Sequence, residues 1–143
     1  MSADVPEVRE FFESYARSRT VGDGDGIASQ YPDSFTFAGP NGARIVQKSA
    51  VLAAFQKGRA FLQSLGHTTT EVLSIEQMSL DRHYLLVKAT FGWCFERPPA
   101  SPVKITIAST FVLYAGRDGL TIVFQQEHED FQDALRSGGV LTA

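Results

Sequence analysis

The chain has a single cysteine, Cys94, and three histidines, His67, His83 and His128, in 143 residues. One cysteine excludes an internal disulfide and agrees with a reducing, cytoplasmic setting. No histidine lies near Cys94 in sequence, and the histidines lack ligand spacing among themselves, so neither a thiol nucleophile nor a metal site is indicated. Metal and cofactor are both expected to be absent. Basic residues are also few: 13 Lys and Arg against 16 Asp and Glu give a net charge of −3. Nothing in that balance tracks a phosphate backbone, which argues against nucleic acid as a partner. No apolar run is long enough to span a bilayer. The start, Met1 to Pro6, lacks a charged region followed by an apolar one, which argues against a secretory leader. The glycine-rich Gly22–Gly26 lacks the Lys-Ser/Thr of a phosphate loop and the further oxygen ligands of a calcium loop. It reads as a turn between two helices.

What the chain does have is apolar bulk: 43% hydrophobic residues against 20% charged, with eleven phenylalanines. This suits one globular domain over residues 1–143 with a wide, dry interior. The most informative stretch is Leu85 to Phe95. Leu85, Val87, Ala89, Phe91, Trp93 and Phe95 alternate with the smaller or polar Lys88, Thr90, Gly92 and Cys94. Period two means a strand with one buried face, here a long strand that should bend across the whole domain.

The rest falls around it. Asp4, Pro6 and Glu7 open a helix whose stripe is Val8, Phe11, Phe12, Tyr15 and Ala16. Asp25 caps a short second helix, closed by Pro32. Ser34–Gly39 is a strand, Asn41-Gly42 a hairpin turn, and Arg44–Lys48 the return strand. Ser49 caps a third helix carrying Val51, Leu52, Phe55, Leu62 and Leu65, stopped by Gly66. Strands follow over Thr68–Met78, Leu85–Phe95, about Lys104–Tyr114 and Leu120–Asp130, and the tail after Phe131 frays. Helices gathered before a run of strands imply an α+β fold, with three helices on one face of a curved, mainly antiparallel sheet. The space between such layers is a natural ligand mouth.

Tyr15, Gly22-Asp23-Gly24-Asp25-Gly26-Ile27, Tyr31-Pro-Asp-Ser-Phe-Thr-Phe37 and the capped helix with Phe55 resemble the nuclear transport factor 2-like superfamily. That group includes ketosteroid isomerases and SnoaL-like polyketide cyclases. The resemblance spans nearly the whole chain and implies a cone-shaped α+β roll of the cystatin-like kind. Against the isomerases it implies that Tyr15 donates a hydrogen bond to a ligand oxygen. The isomerase base falls at Gly39 or Pro40, and the second acid near Ser109, so steroid isomerisation by that route is not implied. No single aspartate matches the cyclase acid–base residue. The resemblance also implies a homodimer through the outer sheet face.

On the last strand, Ile122, Phe124, Gln126, His128 and Asp130 share one side, and the apolar members mark it as the inner one. His128 beside Asp130 is then the candidate proton acceptor, with Tyr15 as donor. A bulge would flip that register and turn Gln125, Glu127 and Glu129 inward instead. The expected walls are Trp93, Phe91, Tyr31, Phe35, Phe37, Phe55, Ser109, Phe111, Phe124 and Gln126. Each has a plain structural alternative, core packing for the aromatics and a solvated strand end for His128 and Asp130. The expected ligand is a small apolar or aromatic molecule. The residues leave open whether the pocket is a cofactor-independent lyase, isomerase or cyclase, only binds, or merely fills a dimeric scaffold.

Overall fold

The computed structural model of the chain describes residues 6–141. The proposed Asp4 cap lies outside them.

β4 (Tyr84–Phe95) alternates as its sequence demands, with Val87, Ala89, Phe91 and Phe95 buried and Lys88 exposed. It lies between β3 (His67–Ser79) and β5 (Val103–Gly116), antiparallel to both. β5 buries Ile105, Ile107, Ser109, Phe111 and Leu113 on the same face. β6 (Gly119–Glu127) continues the antiparallel run, and the hairpin β1 (Ser34–Gly39) and β2 (Gly42–Gln47) completes it. The six strands run β2-β1-β6-β5-β4-β3, with β1 parallel to β6. Irregular pairing in β3 and between β5 and β6 marks bulges, the usual means of bending a sheet.

α1 (Pro6–Val21) lies on the inner face. Its stripe buries Val8, Phe12, Tyr15 and Ala16 against Phe91 and Phe111. Phe12 sits 4.8 Å from Phe111, and Tyr15 stacks 5.1 Å from Phe91. These interlocking rings fill the space behind β4, where a ligand mouth between the layers is expected from the sequence. α2 (Gly24–Ala28) is capped by Asp23, whose carboxylate accepts from Gly26 N at 3.0 Å, and not by Asp25. Asp23 stands outside the first turn, where free N–H groups point, whereas Asp25 is already within it. α3 (Lys48–Ser64) starts one residue before Ser49, after Gln47, with no side-chain cap. It is amphipathic without a fully buried residue, and Val51, Leu52 and Phe55 lean on the core.

A helix stands after β6 where fraying was expected. α4 (Phe131–Ser137) is capped by Asp130, whose Oδ1 accepts from Asp133 N at 3.1 Å. Ala134, Leu135 and Val140 bury against Ile105, Ile107 and Phe95 as a second apolar cluster. The sequence hides this helix, because only two or three apolar side chains distinguish it from a polar tail. No helix among the described residues is long and apolar enough to cross a membrane.

Candidate functional site

The register of β6 decides the site. Leu113 pairs with Ile122, but Val112 pairs with Phe124, so Val123 is an extra residue between them. Side chains before the bulge keep the expected facing, and those after it are inverted. Gln125 and Glu127 therefore join Ile122 on the inner face, opposite Phe111 and Ser109. Phe124, Gln126 and His128, expected inside, fall on the outer face. His128 is exposed, and its Nε2 meets Thr110 Oγ1 at 2.7 Å on that face. The expected pairing of His128 and Asp130 does not form, since Asp130 is engaged in the α4 cap.

Glu127 occupies the position foreseen for the histidine. Ser109 Oγ donates to its Oε1 at 2.6 Å, and Gln125 Nε2 donates to its Oε2 at 2.8 Å. Burial pushes the Glu127 carboxyl above its usual value. The bonds from Ser109 and Gln125, and the charges of His128 and Arg19, oppose that push without cancelling it.

Behind Glu127 lies a buried polar chain. The Tyr31 hydroxyl donates to Gln125 Oε1 at 2.7 Å. Arg19 Nη2 donates to that hydroxyl at 3.1 Å, and Arg19 Nη1 donates to Gln30 Oε1 at 2.8 Å and to the Tyr15 carbonyl at 3.2 Å. The guanidinium lies 3.4 Å from the Tyr15 ring centroid. Arg19 is 9% exposed, and Gln30, Tyr31 and Gln125 are buried with it. Four hydrogen-bonding side chains from α1, the α2–β1 loop and β6 thus satisfy one another around a buried cation. Tyr15 joins by accepting from Gln125 Nε2 at 3.4 Å. Burial raises both phenols, Tyr15 well above its ordinary value, so both stay protonated.

On its other side Glu127 meets a cleft of about 480 Å³ at the C-terminal ends of the parallel pair β1 and β6. Phe37 and Phe131 give it aromatic walls. The β1–β2 turn from Gly39 to Arg44 forms one lip, and Glu129 and Asp130 line the other. Arg44, the basic residue of the first lip, lies 5.4 Å from the Phe37 ring centroid. Trp93 stands one ring back, edge-on to Phe131 at 5.0 Å.

Of the residues expected from sequence, Phe37 and Asp130 line the cleft, while Ser109, Tyr15 and Tyr31 join the polar chain behind it. Phe35 packs at a tilt against Tyr31 at 4.5 Å, and Phe91 and Phe111 are ring packing around Tyr15. Phe55 props the helix layer. Arg19 escaped notice, although it follows Tyr15 by one helical turn on the same stripe, where a charge needs a reason. Among the described residues no group of His, Cys, Asp and Glu is arranged to hold a metal.

No family model matches the sequence, and no curated protein does. Solved structures do match. A protein of unknown function from Shewanella oneidensis, described as NTF-2 like, superposes with a TM-score of 0.67 at 17% identity, over 86% of this chain and 97% of its own. An NTF2-like protein with a cystatin-like fold from Novosphingobium aromaticivorans gives 0.72 at 13% identity, over 96% and 88%. This chain has the NTF2-like, cystatin-like fold. Aln2 from a Streptomyces species superposes with a TM-score of 0.74 at 12% identity, over 95% of this chain and 99% of Aln2. At such identities the likeness is one of fold, and the site must be argued from its own residues.

Proposed function

We propose that this NTF2-like chain is a SnoaL-like small-molecule protein in which Glu127 moves a proton on a flat, largely apolar ligand seated in the cleft. The reaction class is cofactor-independent proton transfer at carbon next to a carbonyl, as in an isomerase, lyase or cyclase. The observation that supports this reading is a carboxyl group facing the cleft, fixed at both oxygens and raised by burial above its ordinary value. In the step, the C–H bond breaks, its proton goes to Glu127, and the electron pair moves onto the carbonyl oxygen as an enolate. Arg44, a cation of the same cleft, balances that charge. The ligand's plane lies between the rings of Phe37 and Phe131.

β-Tetralone, a flat carbon acid, tests this by its hydrogen–deuterium exchange in D₂O, followed by proton NMR. The chain should accelerate exchange above buffer, and Glu127→Gln should abolish the acceleration. Quenching of Trp93, the chain's one tryptophan, by the enol mimic β-naphthol should persist in both. Equal exchange in the two proteins, or no saturable quenching, overturns the reading.

A second reading concerns the outer sheet face, where Leu73, Met78, Tyr84 and Tyr114 are exposed at 40%, 55%, 38% and 39%. So much apolar surface on one sheet fits a homodimer joined face to face. Light scattering at micromolar concentration checks it, and a monomeric mass refutes it. The half-buried, lone Cys94 suits a cytoplasmic setting.

A further inference from the structure

We infer that Arg19 is a positioning residue that turns the Gln125 amide toward Glu127, acting through the hydroxyl of Tyr31. The inference deepens the reading of Glu127 as the working group and rests on it for its functional meaning.

The argument is one of hydrogen-bond direction. A guanidinium can only donate. Arg19 Nη2 lies 3.1 Å from the Tyr31 oxygen, so that oxygen accepts. Tyr31 must then direct its own proton elsewhere, and the group at 2.7 Å is the Gln125 side chain. Gln125 meets it with its carbonyl oxygen, which leaves the amide nitrogen for Glu127 Oε2 at 2.8 Å. One donor each from Arg19, Tyr31 and Gln125 thus points along the chain toward the carboxylate. Ser109 supplies the matching donor to the other oxygen. An amide has two nearly isosteric orientations, and nothing at Glu127 itself would choose between them once its carboxyl is protonated. The reversed orientation would aim a carbonyl oxygen at the carboxylate and favour the proton-bound form. Arg19 removes that option from two residues away. This gives the buried cation a use: at 9% exposure, its bonds run to neutral oxygens of Tyr15, Gln30 and Tyr31. An arginine there would otherwise burden the core with a desolvated charge.

The other charged or titratable groups around Glu127 are Tyr15 on α1, His128 and Glu129 next along the chain, Arg44 on β2 and Asp130 at the start of α4. His128 is on the opposite sheet face, and Arg44, Glu129 and Asp130 line the cleft and are exposed. Tyr15 meets the chain at the Gln125 nitrogen and the Tyr31 hydroxyl, and none of the others hydrogen-bonds to Gln125.

Carbon-13 NMR of the glutamate carboxyls in the full chain reads the Glu127 titration midpoint without any ligand. Arg19→Met should move that midpoint upward. Tyr31→Phe should do so as well, although it removes no charge. The double variant should move it no further than the larger single change, because both act through one chain. Arg19→Lys, which can still donate to Tyr31, should return it toward the parent value. A Tyr31→Phe midpoint equal to the parent's overturns the inference, leaving Arg19 a through-space charge. Additive shifts overturn it too, as does a loss of stability with no shift in either single variant. If β-tetralone exchange fails in the parent chain while the midpoints move as described, the proton-transfer reading falls and the positioning role stands.

Discussion

Removing one oxygen atom from Tyr31 should cost far more than removing the corresponding atom from Tyr15. Both rings are buried, at 3% and 6% exposure. The Tyr31 hydroxyl accepts from a buried guanidinium at 3.1 Å and donates to Gln125 at 2.7 Å. Tyr31→Phe leaves an Arg19 N–H and the Gln125 carbonyl without partners in the core. A hydrogen bond to a charged group is worth about 1.5–3 kcal/mol and a neutral one about 0.5–1.5 kcal/mol, so the loss should be roughly 2–4 kcal/mol. For a domain of this size that is a drop in Tm of about 8–16 °C, at roughly 4 °C per kcal/mol. The Tyr15 hydroxyl accepts one long bond, 3.4 Å, from a Gln125 nitrogen that has Glu127 as a better partner, and shares a neutral hydrogen bond with the Tyr31 hydroxyl. Tyr15→Phe should therefore cost about 0.5–1.5 kcal/mol, since no charged partner is stranded. Urea unfolding followed by Trp93 fluorescence measures both, and an unchanged slope confirms that each alters stability alone. If Tyr31→Phe is no more costly than Tyr15→Phe, the hydrogen-bond chain does not hold this core together.

The other predictions test the pH behaviour and the two apolar clusters. Glu127 is pushed above 4.5 in the folded chain, so the stability it contributes is full below that pH and is lost as pH rises through its folded value. The stability of Glu127→Gln relative to the parent should climb over that interval, and a pH-independent difference in Tm would refute the burial argument. Partial burial pushes His67 below 6.5, so its contribution is present above that pH and lost as pH falls through its folded value. His67→Gln should lose less Tm on acidification than the parent does. Phe111→Ala, at a fully buried ring between Phe12 and Tyr15, should cost about 3–5 kcal/mol in urea unfolding. Asp130→Ala removes the α4 cap and should cost about 1 kcal/mol, read as a small fall in Tm.

The fold was legible because its signals are long. β4 and β5 are twelve and fourteen residues long and alternate over most of that length, and the α1 stripe from Val8 to Ala16 repeats over more than two turns. The site was harder because it depends on one residue of register. The run Ile122, Phe124, Gln126, His128 is a sound alternation, and no local feature of Val123 shows that it is unpaired. The bulge was foreseeable only as an alternative, and tertiary pairing with Leu113 and Val112 decided it. Once it is present, Gln125 and Glu127 become inner residues and His128 an outer one. α4 escaped for a different reason, since seven residues carry too few apolar positions to show a period. Arg19 was visible as a charge on an apolar stripe, but its partners Gln30, Tyr31 and Gln125 are far away in sequence.

The central claim is that Glu127 is a buried, cleft-facing acid whose carboxyl is held above its ordinary value by burial. Its carboxyl carbon, titrated by NMR with and without β-naphthol, tests that most directly. The account predicts a midpoint above the ordinary glutamate value of 4.5 that moves again when the ligand is added. A midpoint at or below that value, unmoved by the ligand, would contradict it.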